Sequence, residues 1–348
     1  GDAVAEDPGG VSARLRTGYC ATGSCGIFAV PALHGFDRPT KVTMCGLFLA
    51  FERGRPVEEI RALQATRGLH HRGPDGAGHC SFARSYPSAH GAVTVGGFVG
   101  HTRLSVLDIT ERSNQPFCRR SRTLAYNGEI YNFQALRNDL KQQGIRFDTD
   151  GDTEVLFELL ANRGIDALRE ANGMWAFCFL DEAAGILTAA RDPYGKKPLF
   201  YYANATTLCV ASEIAPIFAY LGQRPEFVAA DLDSFLRHGW LLPHADGRTH
   251  IHHIRQVTAG GALSFDLAAW ALEEKCYFDL AAFSRAEKHD GEALAAIVKD
   301  AVVARLISDR RVGLLLSGGV DSSLILSVLY AAGLAERVSC FTGDAGKS

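Results

Sequence analysis

Val312-Gly313-Leu314-Leu315-Leu316-Ser317-Gly318-Gly319-Val320-Asp321-Ser322-Ser323 decides how the C-terminal part of this chain folds. The apolar residues that open it read as a buried strand. Gly318 and Gly319 allow a tight turn and a close backbone approach to a ligand. Ser322 and Ser323 then open an apolar helical run, Leu324 to Tyr330. Strand, Gly/Ser turn and helix N-terminus aim N–H groups and a helix dipole at one point, which makes an anion site. The hydroxyls of Ser317, Ser322 and Ser323 add donors, and Val320 completes the turn. Asp321 is out of place beside a phosphate unless a cation such as Mg²⁺ lies between them, which makes Asp321 the candidate metal ligand.

Upstream there is room for a second domain, since the chain has 348 residues. Its net charge of −3 argues against a general nucleic-acid binder and gives no electrostatic reason to sit on a membrane. No apolar stretch is long enough to span a bilayer. Residues 1–43 lack the continuous apolar core of a secretory signal. The nine cysteines are scattered, with no paired short spacings. That argues against a disulfide framework or a zinc site and favours a reducing cytoplasm.

Residues 1–43 are rich in Gly, Ala, Pro and Arg and read as a disordered or non-native leader. From Met44 to about residue 230, short strand-like runs alternate with turns: Cys45–Phe51, Val93–Val99, Leu124–Ala125, Trp175–Leu180, Ile186–Ala190, Leu199–Tyr202 and Leu208–Ala211. Two helical stripes interrupt them, Glu58–Arg67 and Thr153–Arg163. Residues 231–290 read as a bridge that opens with a helix, Asp231–His238. A further amphipathic helix, Glu292–Ile307, feeds the strand at Val312.

Met44-Cys45-Gly46 is the first chemical signal. A thiol attacks well only as thiolate or beside a base. If Met44 were removed, Cys45 would own an α-amine with a pKa of about 8, able to take the thiol proton. Alone, Cys45 reads equally as a buried strand cysteine. The rest of the region changes that. His71-Arg72-Gly73-Pro74-Asp75-Gly76 is rich in turn residues, and Gly100-His101-Thr102-Arg103 presents a guanidinium at a strand end. In Tyr126-Asn127-Gly128-Glu129-Ile130, the Asn127 amide and the Gly128 N–H could form an oxyanion hole. Asp150-Gly151-Asp152-Thr153-Glu154 opens a helix. Together they suggest a pocket for a zwitterion: Arg103 for a carboxylate, Glu129 and Asp152 for an ammonium, Cys45 between.

These strings, with Ala190-Arg191-Asp192-Pro193-Tyr194-Gly195-Lys196-Lys197-Pro198-Leu199 and Ala211-Ser212-Glu213-Ile214, resemble the glutaminase domain of class II glutamine amidotransferases. The Ser317–Ser323 loop resembles the pyrophosphate-binding loop of the ATP pyrophosphatases. In this order the two resemble the glutamine-hydrolysing asparagine synthetases, over about residues 44–345. The resemblance implies an α+β N-terminal-nucleophile fold for 44–230, a four-layer αββα sandwich. It implies an incomplete α/β parallel-sheet ATP-pyrophosphatase domain for 291–348. By the same resemblance Cys45 is the nucleophile, and Asn127 and Gly128 stabilise the oxyanion. Arg103, Glu129 and Asp152 bind glutamine, and Ser317 to Ser323 bind ATP. The glutaminase half needs no cofactor. The synthetase half uses ATP and Mg²⁺ to activate aspartate as β-aspartyl-AMP, which ammonia converts to asparagine. Glutamine, aspartate and ATP are the partners implied, and a homodimer is compatible with them.

Three departures from the family pattern shape the expectations. As written, Cys45 has an amide nitrogen and no base of its own, so activity requires loss of residues 1–44. Ser24-Cys25-Gly26-Ile27-Phe28 echoes Met44-Cys45-Gly46-Leu47-Phe48 and makes Cys25 a rival nucleophile. The family spacing to the His-Arg-Gly-Pro-Asp string, a little under thirty residues, favours Cys45, which lies 26 residues before His71 against 46 for Cys25. Finally, the 57 residues from Glu292 onward supply two strands and two helices. A domain usually needs about 100 residues. The synthetase domain therefore reads as truncated, and the chain as retaining only the glutaminase half. Other acceptor carboxylates, a stand-alone glutaminase and a non-catalytic glutamine-binding relic stay open. Phe341 to Ser348 only mimics a phosphate-binding P-loop, with phenylalanine where glycine is required.

Overall fold

A computed structural model describes residues 27–29, 44–88, 91–241, 244–283 and 290–343. Cys25, most of the 1–43 leader and residues 344–348 lie outside the described residues. The chain divides into two compact units, one holding residues 44–283 and the other residues 27–29 with 290–343.

In the larger unit, strand β2 (Gly46–Arg53) is buried on both sides. Leu47, Leu49 and Phe51 enter one core while Phe48 and Ala50 enter another. This is the two-residue period of a strand sandwiched between layers. β2 is central in a sheet that also contains β3 (Gly76–Ser88), β4 (Gly91–Arg103), β9 (Phe200–Ala203), β10 (Thr207–Ala211) and β11 (Arg255–Gln256). Its order is β11-β9-β10-β2-β4-β3, antiparallel throughout. A second antiparallel sheet runs β13-β12-β8-β7-β6-β5. Its strands are β5 (Phe117–Arg119), β6 (Arg122–Ile130), β7 (Gly173–Asp181), β8 (Ile186–Arg191), β12 (Gly261–Asp266) and β13 (Ala271–Cys276).

The inner faces of the two sheets share one core, in which Leu49, Val99, Cys178, Leu187, Val210 and Phe265 meet. Helices α1 (Glu59–Arg67) and α4 (Ile214–Leu221) cover the outer face of the first sheet through Ala62, Ala65, Ile217 and Tyr220. Helices α2 (Phe133–Gln142) and α3 (Asp152–Arg163) cover the second, where Phe157 stacks edge-on against Phe117 and Phe179. The result is the four-layer αββα sandwich. α5 (Ala229–His238) is the helix at the start of the segment that reads as a bridge. That segment is otherwise largely part of the sandwich, since β11, β12 and β13 extend both sheets. β13 escapes sequence reading because its residues are mostly exposed and show no alternation. β3 escapes for the same reason: its long stretch is rich in glycine, serine and exposed positions.

The smaller unit has a three-stranded sheet, β1 (Ile27–Ala29), β14 (Val312–Leu315) and β15 (Val338–Phe341), with helices α6 (Gly291–Ala304) and α7 (Val320–Ala331). β14 pairs in parallel with β15 and antiparallel with β1. The expectation that residues 1–43 form no structure is therefore corrected at Ile27–Ala29. α7 starts at Val320, two residues before the first helical residue read from the sequence, so Asp321 and Ser322 lie in its first turn.

Candidate active site

The site is built where the two sheets approach each other. Cys45 immediately precedes β2. A Cβ at Gly46 would lie 2.7 Å from Thr102 Oγ1 and 2.8 Å from Leu69 Cβ, so only glycine lets the strand follow Cys45 this closely along β4. The Cys45 sulfur accepts a hydrogen bond from the Leu104 N–H at 3.3 Å and donates to the Leu104 carbonyl at 3.6 Å. Arg72 donates from Nε to the Cys45 carbonyl at 3.1 Å and from Nη1 to Glu213 Oε1 at 2.9 Å. His71 reaches the same Glu213 oxygen. Ser212 Oγ accepts from the Leu47 N–H at 3.1 Å. Asp75 Oδ2 accepts from the Ser105 N–H at 2.8 Å. The His71–Asp75 and Ser212–Glu213 strings thus clamp the start of β2 and the end of β4.

Arg103 closes β4. Its Nη1 donates to the Thr110 carbonyl (2.8 Å) and Asn114 Oδ1 (2.9 Å), and its Nη2 to the carbonyls of Leu107 and Asp108. The guanidinium therefore organises the loop that leads to β5. On β6, Asn127 is almost fully buried, and its side-chain amide nitrogen has no hydrogen-bond partner. A buried donor without an acceptor is costly and rare. Gly128 pairs with Trp175 across β6 and β7, where a Cβ would lie 2.2 Å from the Met174 carbonyl oxygen.

Asp152, the first residue of α3, is buried. Its Oδ2 accepts from the Tyr126 hydroxyl and the Ile130 N–H, both at 2.9 Å. Burial pushes its pKa up, against these bonds. Glu129 is pushed up to about 7, first by burial and then by Asp152, with Lys197 opposing. Burial also raises the Cys45 thiol, while the Leu104 N–H, Lys197 and Arg103 pull it down. The net direction is upward, so Cys45 rests as a thiol and needs a base.

Lys197 was not singled out from the sequence, although it lies in the Ala190–Leu199 string. It is buried, and its Nζ lies 3.1 Å from Met44 Sδ. The loop that carries it is rigid. Buried Asp192 accepts from the N–H groups of Tyr194, Lys196, Lys197 and Trp175. Arg191 donates to the carbonyls of Lys197, Gly195 and Val257. The available signal was a lysine placed one residue before Pro198-Leu199, where the chain enters a buried strand. Arg72 was missed as an individual residue because its partner Glu213 is 141 positions away. Cys45, Arg103, Glu129, Asp152 and Lys197 all lie within mutual electrostatic reach.

In the smaller unit, Gly318 adopts a left-handed φ of +78° and Gly319 precedes the first turn of α7 in an extended conformation. The first N–H groups of α7 have no intrahelical acceptor, which fits a phosphate. Ser322 Oγ lies 3.3 Å from Ser317 Oγ, and Ser323 Oγ donates to the Gly319 carbonyl. Asp321 is exposed, and among the described residues no three metal-ligating side chains converge. One exposed carboxylate is too few ligands for Mg²⁺. The residues described do not by themselves fit a metal, and no step is derived through one. Among the described residues no helix is long and apolar enough to cross a membrane.

Residues 44–278 match the family of glutamine amidotransferase domains, and residues 293–347 match that of asparagine synthase. Asparagine synthetase (glutamine-hydrolyzing) 3 of Bacillus subtilis is 30% identical over 310 residues, covering 84% of this chain and 46% of its own. Asparagine synthetase B (glutamine-hydrolyzing) of Escherichia coli is 31% identical over 296 residues, covering 83% and 46%. The chain spans about half the length of the curated relatives it matches. Among solved structures, glutamine phosphoribosylpyrophosphate amidotransferase from B. subtilis is 22% identical with a TM-score of 0.48, over 67% of this chain and 49% of that one. With the greater part of its length matched by one domain model, the chain belongs to the glutamine amidotransferase family.

Proposed function

We propose that residues 44–278 hydrolyse the side-chain amide of glutamine, with Cys45 as nucleophile. The observation that carries this reading is the buried, unpartnered Asn127 amide nitrogen. It sits two residues from Glu129 on β6, the strand whose Ile130 N–H holds Asp152. A donor left unsatisfied at rest is suited to an oxygen that becomes negative only during reaction.

Cys45 Sγ attacks the amide carbon. The carbonyl oxygen, now an oxyanion, is held by Asn127 and Gly128. The proton leaves the thiol for the α-amine that Cys45 owns once the preceding peptide bond is cut, and passes to the departing ammonia. Water then hydrolyses the thioester to glutamate. Arg103 takes the substrate carboxylate, Glu129 and Asp152 its ammonium. Lys197 lowers the cost of negative charge on sulfur and oxygen.

For the whole protein we propose glutamine-dependent asparagine synthesis. Ser317 to Ser323 would bind the phosphates of ATP, and Asp321 would contribute to Mg²⁺ once further ligands are supplied. The names of the relatives and the asparagine synthase match support this reading. Other acceptor carboxylates suit the same loop equally.

The test compares protein beginning at Cys45 with the chain retaining residues 1–44, intact mass confirming each N-terminus. Glutamate and ammonia should form only with the first, and Cys45→Ala should abolish them. Equal turnover by both, or activity surviving Cys45→Ala, defeats the reading. Aspartate-dependent AMP release by the 348-residue chain, which we expect to be absent, reports separately on synthesis.

A further inference from the structure

Two cysteines outside the site lie on edge strands of different sheets, Cys80 on β3 and Cys118 on β5. These edges run against each other. A Cβ on Gly76 would lie 3.6 Å from Asn114 Oδ1, and one on Gly78 would lie 2.4 Å from the Gln115 carbonyl oxygen and 3.4 Å from Pro116 Cδ. Residues 76, 78 and 80 share one face of β3. They therefore track 114, 115–116 and 118 in step, and at the third position the Cys80 and Cys118 thiols hydrogen-bond to each other. Thr123, opposite Cys118 in the β5–β6 register, donates its hydroxyl toward the Cys118 sulfur at 3.6 Å. Cys118 is exposed and Cys80 half-buried, so an oxidant reaches one sulfur and the other waits behind it. The thiols are also unequal. The hydrogen bond from Cys80 holds Cys118 below the usual thiol range, while Cys80 itself is pushed up.

We propose that Cys80 and Cys118 are a redox-responsive pair that closes to a disulfide, stapling the two sheets together where the loop 104–116 enters β5. With a peroxide as oxidant, the Cys118 thiolate attacks one peroxide oxygen. The O–O bond breaks, and Cys118 becomes a sulfenic acid as water leaves. The Cys80 thiol then attacks the sulfenic sulfur, the S–S bond forms, and the sulfenic oxygen leaves as a second water. Two thiols and one hydrogen peroxide give one disulfide and two waters. Such bonds are transient where glutathione is reduced, which suits a signal better than a permanent brace. The loop so fixed begins at Leu104, which holds the Cys45 sulfur, and is organised by Arg103.

The full chain is treated with hydrogen peroxide, quenched with N-ethylmaleimide and peptide-mapped without reduction. The expected main product joins the Cys80 and Cys118 peptides and reverts with dithiothreitol. Hydrogen exchange of residues 104–118 should slow in the oxidised form. Cys118 over-oxidised with no joined peptide, or joined chiefly to another cysteine, overturns the proposal. In Cys80→Ser, Cys118 should stop at a sulfenic acid that dimedone traps. Failure to trap it in folded protein also counts against the pair. Should that variant not fold, alkylation of the unmodified chain decides: Cys118 should react about tenfold faster than exposed Cys276 at neutral pH. Equal rates would overturn the assignment.

Discussion

The sandwich and the small unit build their candidate sites in opposite ways. In the sandwich, Cys45, Arg72, Arg103, Asn127, Asp152, Lys197 and Glu213 come from seven separate stretches of chain. Their positions depend on buried contacts between strands far apart in sequence, such as Leu47 to Ser212 and Arg72 to Glu213. In the small unit, the loop from Ser317 to Ser323 is contiguous and takes its shape from one strand, one turn and one helix start. Its core is correspondingly slight, with Val302, Leu306, Val312 and Leu329 as its buried cluster. α7 leaves Val320 83% and Tyr330 79% exposed. A contiguous anion loop needs little tertiary support, whereas a dispersed pocket exists only when the whole sandwich is closed.

The largest effect should follow from Arg103→Ala. Leaving a carboxylate unpaired in a buried pocket costs roughly 2–5 kcal/mol. The glutamine KM should rise accordingly, with a smaller change in kcat. The same variant loses the bonds to residues 107, 108, 110 and 114, so hydrogen exchange in that loop should accelerate. An unchanged KM would remove Arg103 from the pocket. Asn127→Ala tests the other half of the geometry. Loss of an oxyanion donor lowers kcat by about two to three orders of magnitude, and KM should barely move. A pure KM effect would reassign Asn127 to substrate binding.

Glu129 gives a milder, pH-dependent effect. Its carboxyl, raised to about 7, is neutral below that pH and cannot pair with an ammonium. The glutamine KM should therefore rise as pH falls below 7, by about tenfold per unit while the deprotonated form is limiting. Glu129→Gln should raise KM at pH 8 and flatten the profile. The sign for folding is the reverse. The native state keeps a proton that the unfolded chain, with an ordinary value of 4.5, gives up. The contribution of Glu129 to stability is thus lost as pH rises between 4.5 and about 7. A KM profile that stays flat in the unsubstituted protein would release Glu129 from its role.

The smallest effect sharpens the comparison without any substitution. Amides of residues 290–343 should exchange faster than those of β2, β4, β6 and β7, because opening four buried side chains exposes far less apolar surface than opening the sandwich. Equal protection would mean that the small unit folds with the large one as a single cooperative body.

The sequence by itself determined what is written in neighbouring residues. Alternation gave β2, β7, β8 and β10, and the helical stripe gave α1 and α3 to within a residue. Glycines next to Cys45, Asn127 and Ser317 marked places where the backbone must turn or be approached closely, and short strings pointed to Cys45, Arg103, Asn127, Glu129 and Asp152. Only the tertiary structure decided which residues face one another. It brought Lys197 to Met44 and Arg72 to Glu213. It enlisted β11, β12 and β13 from a stretch without alternation, tied Arg103 to its own loop, and set Cys80 against Cys118. Local propensity and periodicity are properties of a few consecutive residues. Burial, charge pairing and sheet edges are properties of partners that the chain supplies tens to more than a hundred positions away, and no window of sequence contains both members.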